Sequence, residues 1–389
     1  MRRNGTSRVK IKTIHGEIEM EVQRWQVEGS GEEVTYLDLK GELREGYISE
    51  RLKEVSVYYS NRMSYEEVAG LVERISGKRQ LSDQKIQEMV IEKAEQVSRE
   101  QVKVRQRLEE AGVERPEVRG KVDIYATGKA EIVVFDDAIG VREQKATRDK
   151  EGEEGEKAKE TKWVTTDVVL IGKRDGSYEY VTGSLGVDGS EGESVEVNVM
   201  TSLKRAYGIN PQASQPEQPK PLDLVVISDG AQAIRCRWLA LCGPVTIILD
   251  WYHLRRKVRE LMSMIAKSKS EKTIHIQQIL SHLWRGKTLD AIQYLETRVD
   301  VRNAAKHQEF IGYLEKHQVE IIDYGRRQKI KKPIGSGRGE KGVDQVIGHR
   351  QKKKGMSWSP TGSRALGILK VVELNDQWST LWPPMQSAA

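Results

Sequence analysis

Three acidic residues stand where strands and a helix would present them to a common site. Asp137 ends the apolar segment IVVFDD, Asp229 follows the apolar segment LDLVVIS, and Glu340 follows the glycine-rich segment IGSGRG. Strand-end acids project from the edge of an α/β core, where ligands gather. Hard cations such as Mg²⁺ prefer oxygen ligands. The three acids therefore predict a site for Mg²⁺ or Mn²⁺, with two ions held.

Two ions about 3.5–4 Å apart activate an attacking oxygen and offset charge at a leaving oxygen, which is the chemistry of phosphoryl transfer. One aspartate would bridge both ions, and the other two acids would hold one each. Asp136 is an alternative to Asp137 as the first ligand, because the two are adjacent. An aspartate before Gly or Ala is also a common turn former, so the prediction depends on all three acids together.

The segment around Glu340 has the composition of a phosphate-binding surface. Gly335, Gly337 and Gly339 would let the backbone approach a phosphate closely, and the helix start would attract anions. Trp358 would stack on a base or sugar. A solvated basic tail is the alternative interpretation. The residues predicted to contact DNA are Arg338, Lys341, Arg350, Lys352, Lys353, Lys354 and Trp358.

Asp250 and His253 form an auxiliary pair of possible site residues. They are three positions apart at the head of a predicted helix, so they lie on one face. They would bind metal, orient a water molecule or hydrogen-bond to each other. A lone histidine is as often structural, and that alternative stays open.

In the N-terminal third of the chain, the sequence predicts two structural units. Residues 1–46 form a small β unit, since residues 8–41 alternate apolar and polar side chains. Residues 47–120 form a helical region for DNA binding. Ser64 and Glu67 predict a capping box, Gly77 a turn, and Ser82 or Asp83 the cap of a second helix, followed by a longer helix to about residue 112. A helix-turn-helix and an ordinary helical hairpin explain this pattern equally well.

The remainder predicts an α/β core and further helices. Residues 121–254 contain three strands in meander, a helix, a strand, a helix and a strand, which is the order of a ribonuclease-H-like core with a mixed sheet. A helical insertion follows at 255–332, and then the Glu340 helix and a basic region at 333–389. The segments at 149–160 and 209–221 are predicted loops.

The motifs resemble those of a known family. The segments ISDGAQAI, VTIILDWYHL and IGSGRGEKGVDQVIGHRQKKKGMSWSPTGSRALGILK look like the Kra-type insertion-sequence transposases of cyanobacteria and other bacteria. These enzymes are relatives of the Mutator-like transposases. The resemblance covers about residues 47–378 and is strongest from Leu222 onward.

This resemblance implies a ribonuclease-H-like core and an acid triad of two aspartates and a glutamate. The triad matches Asp137, Asp229 and Glu340, and a Cys-or-Asp, two residues, then His signature matches Asp250 and His253. Two residues depart from the family pattern: Ala138 stands where a glycine is expected, and Gly339 where a larger residue is usual.

Composition excludes several classes of protein. With 64 Lys and Arg against 58 Asp and Glu, the net charge of +6 is compatible with nucleic acid without requiring it. The sequence contains no apolar run of about 18 residues, so no membrane span is predicted. No apolar segment typical of a signal peptide follows the basic start. The spacing of Cys236 and Cys242 suits neither a zinc ribbon nor a disulfide scaffold. The expected location is the bacterial cytoplasm, at the nucleoid.

The expected function is transposition: cutting double-stranded DNA at the ends of an insertion sequence and joining those ends to target DNA. Because two ends must meet, a homodimer or higher oligomer on DNA is expected. One alternative is a catalytically inactive or repurposed DNA-binding protein of the same fold. Another is a haloacid-dehalogenase-type phosphatase, whose DxDx[TV] pattern Ala138 and Ile139 do not supply.

Overall fold

The structure, a computed structural model, describes residues 1–35, 38, 47–128, 130–145, 161–186, 192–210 and 220–382. Three sequence predictions fall wholly or partly outside these residues. They are the end of the N-terminal β unit, the charged loop at 149–160, and most of the loop at 209–221.

The N-terminal unit is a three-stranded antiparallel sheet, as its alternating pattern predicts. It contains β1 (Arg2–Thr13), β2 (Gly16–Gln26) and β3 (Glu33–Thr35). In β1 and β2, Lys10 stands opposite Glu19 on one face, and Ile11 stands opposite Ile18 on the other. Cross-strand pairs of opposite charge and of apolar groups stabilise a sheet of this kind.

Three helices follow: α1 (Glu50–Ser60), α2 (Tyr65–Ser76) and α3 (Asp83–Glu110). The capping box at the start of α2 is confirmed, since Ser64 and Glu67 exchange side-chain and backbone hydrogen bonds. Gly77 ends α2 in the left-handed conformation at φ 75°, which glycine adopts without strain.

Helix α3 differs from the sequence prediction because it is one continuous helix of 28 residues rather than two. Ser82 caps it by accepting a hydrogen bond from the Lys85 amide. The exposed positions in its first three turns are Asp83, Gln84, Glu88 and Glu92. This face carries three acids, so its charge favours the helical hairpin over a helix that enters a DNA groove.

The central sheet is mixed and five-stranded, in the order β6-β5-β4-β7-β8. Its strands are β4 (Ile132–Arg142), β5 (Trp163–Gly172), β6 (Tyr178–Val181), β7 (Leu224–Ser228) and β8 (Thr246–Leu249). Strands β4, β5 and β6 form the predicted antiparallel meander, and β7 and β8 continue from β4 in parallel. All five residues of β7 are buried, as its apolar composition predicts.

Helices cover both faces of this sheet. On one face, α4 (Val195–Tyr207) and α5 (Gln232–Cys242) share a core with Val134 and Val169. On the other face, Phe135 and Leu170 belong to a second core that also contains buried residues of α1–α3. Successive residues of β4 therefore point alternately into two different environments.

The predicted helical insertion is present as a series of helices after β8. These are α6 (Trp251–Ile265), α7 (Lys269–Trp284), α8 (Thr288–Arg298), α9 (Ala304–Lys316) and α10 (Tyr324–Lys329). Their buried residues join the same core as Phe135. The chain therefore leaves the sheet at Leu249 and comes back to it after Lys329.

The C-terminal part contains the glutamate helix and two more helices. Helix α11 (Gly337–Val343) continues through a π-helical turn, Asp344–Gly348, and a last turn, His349–Gln351. Helix α12 (Pro360–Leu374) is the final long helix, which the sequence predicted at 362–378, and α13 (Trp378–Leu381) follows it. Within the described residues, no helix combines the length and apolarity needed to cross a membrane.

Candidate metal centre

Asp136 and Asp137 lie on opposite faces of β4, and this decides which of them faces the other acids. The Asp136 side chain is buried, with Oδ1 2.7 Å from Arg237 and Oδ2 2.8 Å from the indole nitrogen of Trp238. Burial raises the pKa of Asp136 to about 6, although Arg237 and Trp238 favour the carboxylate. Asp136 is therefore part of the packing between the sheet and α5.

Asp137 faces the side of the sheet that carries α11. The prediction that it ends a strand is wrong, because β4 runs on to Arg142 and pairs Asp137 with Val168. Burial raises the pKa of the Asp137 carboxyl, and the nearby carboxylates of Asp229 and Glu340 raise it further. The carboxylates of Asp229 and Glu340 are therefore near enough to act on the charge of Asp137.

Asp229 occupies the turn that follows β7, as its position after LDLVVIS predicts. Its Oδ1 accepts a hydrogen bond of 2.8 Å from the Ala231 amide, and this turn leads into α5. Gly230 has a φ of +88°, which a residue with a side chain rarely adopts. Asp229 is exposed, one position after the last residue of β7.

Glu340 lies in the first turn of α11 and not behind a glycine loop. Gly337 and Gly339 belong to the helix itself, which corrects the prediction that they form a loop around phosphate. Gly339 is buried, and a Cβ there would lie 3.0 Å from Phe135 Cβ. A glycine at 339, where a larger residue was expected, lets α11 approach β4 and brings Glu340 towards Asp137.

Asp250 and His253 join the end of β8 to the start of α11. Asp250 caps α6 by accepting from the Tyr252 and His253 amides, and it also accepts from the Ser336 amide at 2.8 Å and from the Ser336 hydroxyl. Burial opposes the charge of Asp250, but hydrogen bonds from His253, Ser336 and Tyr252 outweigh it and lower the pKa to about 2. His253 Nδ1 is 3.3 Å from Asp250 Oδ2, so the predicted mutual hydrogen bond is present.

The tightest group of possible ligands is not the predicted triad. Among the described residues, one set of three is close enough to share an ion: ligand atoms of Asp250, His253 and Glu340 lie within 4.8 Å of one another. His253 Nδ1 is 3.3 Å from Asp250 and 3.7 Å from Glu340. Because both Asp250 oxygens already accept several hydrogen bonds, the carboxylate serves to orient His253 and α11.

Asp137, Asp229 and Glu340 are the three acids that the sequence predicts as metal ligands. Within the part of the chain that the structure describes, Asp137, Asp229 and Glu340 form no ion pair with any lysine or arginine. Each comes from a different element, and the charges of Asp229 and Glu340 act on Asp137. Carboxylate oxygens are the ligands that Mg²⁺ and Mn²⁺ prefer. Asp250 and His253 would then help to orient these three carboxylates.

The predicted DNA-binding residues divide into an exposed and a buried group. Arg338, Lys341, Lys352, Lys353 and Lys354 are exposed, as expected. Arg350 is 4% exposed and donates to the Ser60 carbonyl at 2.8 Å. Trp358 is 8% exposed and donates to the Gln351 carbonyl at 3.0 Å. Both pack inside the protein, so the prediction that they contact DNA is wrong.

Several residues of the site carried no sequence signal. Ser336 holds Asp250, although its position in IGSGRG indicates only a loop. The Tyr252 ring is 56% exposed and lies over Gly335, whose Cβ would come within 2.5 Å of it. Arg235, His317 and Glu320 form a polar cluster, and its His317 ring lies beside Gly230. Arg235 belongs to α5, whereas His317 and Glu320 follow α9, so the sequence does not indicate that these residues are in contact.

No protein-family model and no curated protein matches the chain. The strand order and the geometry of the acids are therefore the observations on which a functional proposal can rest. Of the two, the site is more informative, because one fold hosts many functions.

Proposed function

We propose that the protein is a transposase that cuts and joins DNA by phosphoryl transfer assisted by two Mg²⁺ or Mn²⁺ ions. One observation carries the proposal. Asp137, Asp229 and Glu340 come from a strand, a turn and a helix, and the carboxylates of Asp229 and Glu340 act on that of Asp137, with no ion pair to a described lysine or arginine. Such an arrangement costs stability, and a function that needs negative charge explains it.

The sheet supports this proposal at the level of fold. The order β6-β5-β4-β7-β8, with the meander antiparallel and β7 and β8 parallel to β4, is the arrangement expected of a ribonuclease-H-like core. In that core the first aspartate is on the central strand, and Asp137 is on β4. The resemblance of the motifs to Kra-type insertion-sequence transposases points to the same function.

Each group of residues would have a distinct part in the reaction. When bound, the ions would activate the attacking oxygen and offset charge at the leaving oxygen. Asp137, Asp229 and Glu340 would hold them. Asp250 holds the start of α6 against the start of α11 and so keeps Glu340 in place. Arg338 and Lys341, exposed on α11 beside Glu340, would bind the phosphate backbone.

The substrates would be double-stranded DNA, both the ends of the element and the target. Positioning supplies much of the rate of such reactions, because little covalent chemistry is left to the protein. Two ends must be held together for joining, so the active form would be a homodimer or higher oligomer on DNA.

The test is strand cleavage on a plasmid that carries the element's own flanking ends, with Mg²⁺ or Mn²⁺. Wild type should nick the ends, and Asp229→Asn should reduce nicking to background while still binding DNA. Asp223→Asn is a matched control, since Asp223 precedes the same strand at its far end and pairs with Arg119 at 2.6 Å. It should nick as wild type does.

The other outcomes are equally informative. Normal nicking by Asp229→Asn would refute the assignment of the site. Binding of the ends by wild type without any metal-dependent cleavage would support the alternative, an inactive or repurposed DNA-binding protein of the same fold.

A further inference from the structure

A polar cluster with two buried members lies beside the turn that carries Asp229. It consists of Arg235 on α5, His317 just after α9, and Glu320. His317 Nδ1 is 2.6 Å from Glu320 Oε2, and Arg235 Nε donates to Glu320 Oε1 at 2.7 Å. His317 is 2% exposed and Glu320 is 8% exposed, whereas the Arg235 side chain is 26% exposed.

The His317 ring forms one wall of the Asp229 turn. A Cβ on Gly230 would lie 2.7 Å from His317 Cε1 and 2.8 Å from Leu249 Cδ1. The turn is therefore packed against these two side chains without spare room. On its other side the His317 ring packs on Tyr313, with ring centroids 4.6 Å apart. These contacts on both sides restrict the movement of the His317 ring, and they restrict the movement of the Asp229 turn as well.

The same segment also holds the end of β8. The Glu320 carbonyl accepts from the Leu249 amide at 3.0 Å, and the Tyr324 hydroxyl donates to the Leu249 carbonyl at 2.8 Å. The next residue, Asp250, donates its amide to the Ser228 carbonyl at 2.8 Å. Residues 317–324 are thus in contact with both strand ends from which the site is built.

Glu320 joins these contacts into one unit. Its carboxylate accepts a hydrogen bond from Arg235 in the first turn of α5, directly after the Asp229 turn. It also contacts His317, which directly follows α9. A buried carboxylate with two charge-assisted partners resists displacement of any member, because a lost partner would leave a charge uncompensated. Displacing residues 317–320, which follow α9, would therefore move the Asp229 turn as well.

We propose that Arg235, His317 and Glu320 are positioning residues through which the helical segment 269–329 fixes the Asp229 carboxylate for metal binding. The inference rests on the proposed function, since it assigns a purpose to the helical segment at the same site. Outer partners that orient a ligand typically contribute 10–100-fold to metal affinity. This cluster acts one residue away from Asp229, through the packing of Gly230.

The experiment is Mn²⁺ titration calorimetry on the full chain without DNA. Glu320→Gln keeps the shape of the side chain and removes its charge. His317→Leu removes the imidazole, and His317→Asn keeps an amide that can donate to Glu320. His307→Leu is the matched control, because His307 is a buried histidine of α9 that contacts the Leu295 carbonyl at 3.1 Å, away from the turn. Asp229→Asn gives the reference for loss of the site.

We expect Glu320→Gln and His317→Leu to weaken Mn²⁺ binding by about tenfold or more. His317→Asn should retain more affinity than His317→Leu, and His307→Leu should bind as wild type. Titrations are made well below the thermal unfolding midpoint of each variant, so that loss of folded protein does not contribute.

Two results would overturn the inference while leaving the proposed function intact. One is wild-type Mn²⁺ affinity in both Glu320→Gln and His317→Leu, with Asp229→Asn inactive in binding. The other is an equal loss in His307→Leu, which would show a general effect of destabilised helices. If wild type itself shows no Mn²⁺ binding that Asp229→Asn removes, the proposed metal site fails and the inference fails with it.

Discussion

At the scale of single residues, neighbouring positions in β4 have opposite surroundings. Asp136 accepts hydrogen bonds from Arg237 and Trp238 on one face of the sheet. Asp137 points to the opposite face, towards Asp229 and Glu340. The alternation of side chains along a strand is the cause. Asp136 therefore belongs to a buried hydrogen-bond network and Asp137 faces two other acids, although burial disfavours the charge of both.

Paired amide substitutions should separate these two roles. Asp136→Asn should lower the free energy of unfolding by about 1–3 kcal/mol, because Arg237 loses a charged partner. Asp137→Asn should leave it unchanged or raise it slightly, because repulsion with Asp229 and Glu340 is removed. Urea unfolding measures both. A greater loss of stability in Asp137→Asn than in Asp136→Asn would contradict the assignment of faces.

The basic segment 350–358 mixes structural and exposed residues. Trp358→Ala should lower the free energy of unfolding by about 3–5 kcal/mol, because a large buried side chain is removed. Lys352→Ala and Lys354→Ala should leave stability unchanged, and each should lower the slope of log affinity against log salt by about 1. Urea unfolding and DNA binding at several salt concentrations test this. Unchanged stability in Trp358→Ala would contradict its burial.

At the scale of elements, the glycines of α11 set its distance from the sheet. Gly339 lies against Phe135, and a Cβ on Gly342 would come within 2.7 Å of Leu170. In an exposed helix each glycine would cost about 1 kcal/mol relative to alanine. Here the absent side chains of Gly339 and Gly342 allow close packing, which gives a structural reason for two of the three glycines of this helix.

Alanine substitutions within this one helix should therefore differ. Gly339→Ala should push α11 away from Phe135 and reduce metal-dependent nicking, since Glu340 is the next residue. Gly337→Ala meets nothing within 4 Å and should preserve nicking while raising helix stability by up to about 1 kcal/mol. Nicking rates and thermal unfolding of both variants check this. Equal nicking by the two would show that close packing of α11 is dispensable.

At the scale of the whole molecule, the C-terminal helix α12 ties distant parts of the chain together. Its residues share a core with α3 and with the sheet. Glu373 on α12 accepts from Arg62, which follows α1, and from Lys370 at 3.0 Å. Burial alone would raise the pKa of Glu373, but these hydrogen bonds outweigh it and lower the pKa.

This contact predicts a pH dependence of stability. Since the folded pKa of Glu373 is below its unfolded value, the stabilisation is complete above the unfolded pKa and disappears as pH falls through the folded one. Glu373→Gln should therefore cost about 1–3 kcal/mol at pH 7, and its difference from wild type should shrink in acid. Urea unfolding between pH 7 and pH 3 measures it.

Glu100→Gln is the control, since the Glu100–Lys103 pair is exposed and should contribute at most about 1 kcal/mol. A difference between Glu373→Gln and wild type that stays constant from pH 7 to pH 3 would show that the charge of Glu373 is not what ties α12 to α1.

Local patterns were sufficient for most elements of the chain. The capping residues Ser64 and Glu67, the apolar strand at Leu224–Ser228 and the meander before it follow from residue types and spacing alone. The errors had a common source. Arg350 and Trp358 carry ordinary surface or stacking side chains, but Arg350 is buried against the end of α1 and Trp358 against the end of β4.

The sequence by itself determined which residues offer chemistry: three acids, one histidine and a cluster of cations, of which Asp229, His253 and Glu340 lie near the end of an element. The tertiary structure alone decided which of two adjacent aspartates faces the site, that Ser336 holds Asp250, and that His317 packs on Gly230. The physical reason is that periodicity is local, whereas these contacts join residues up to about a hundred positions apart, and only close packing selects them.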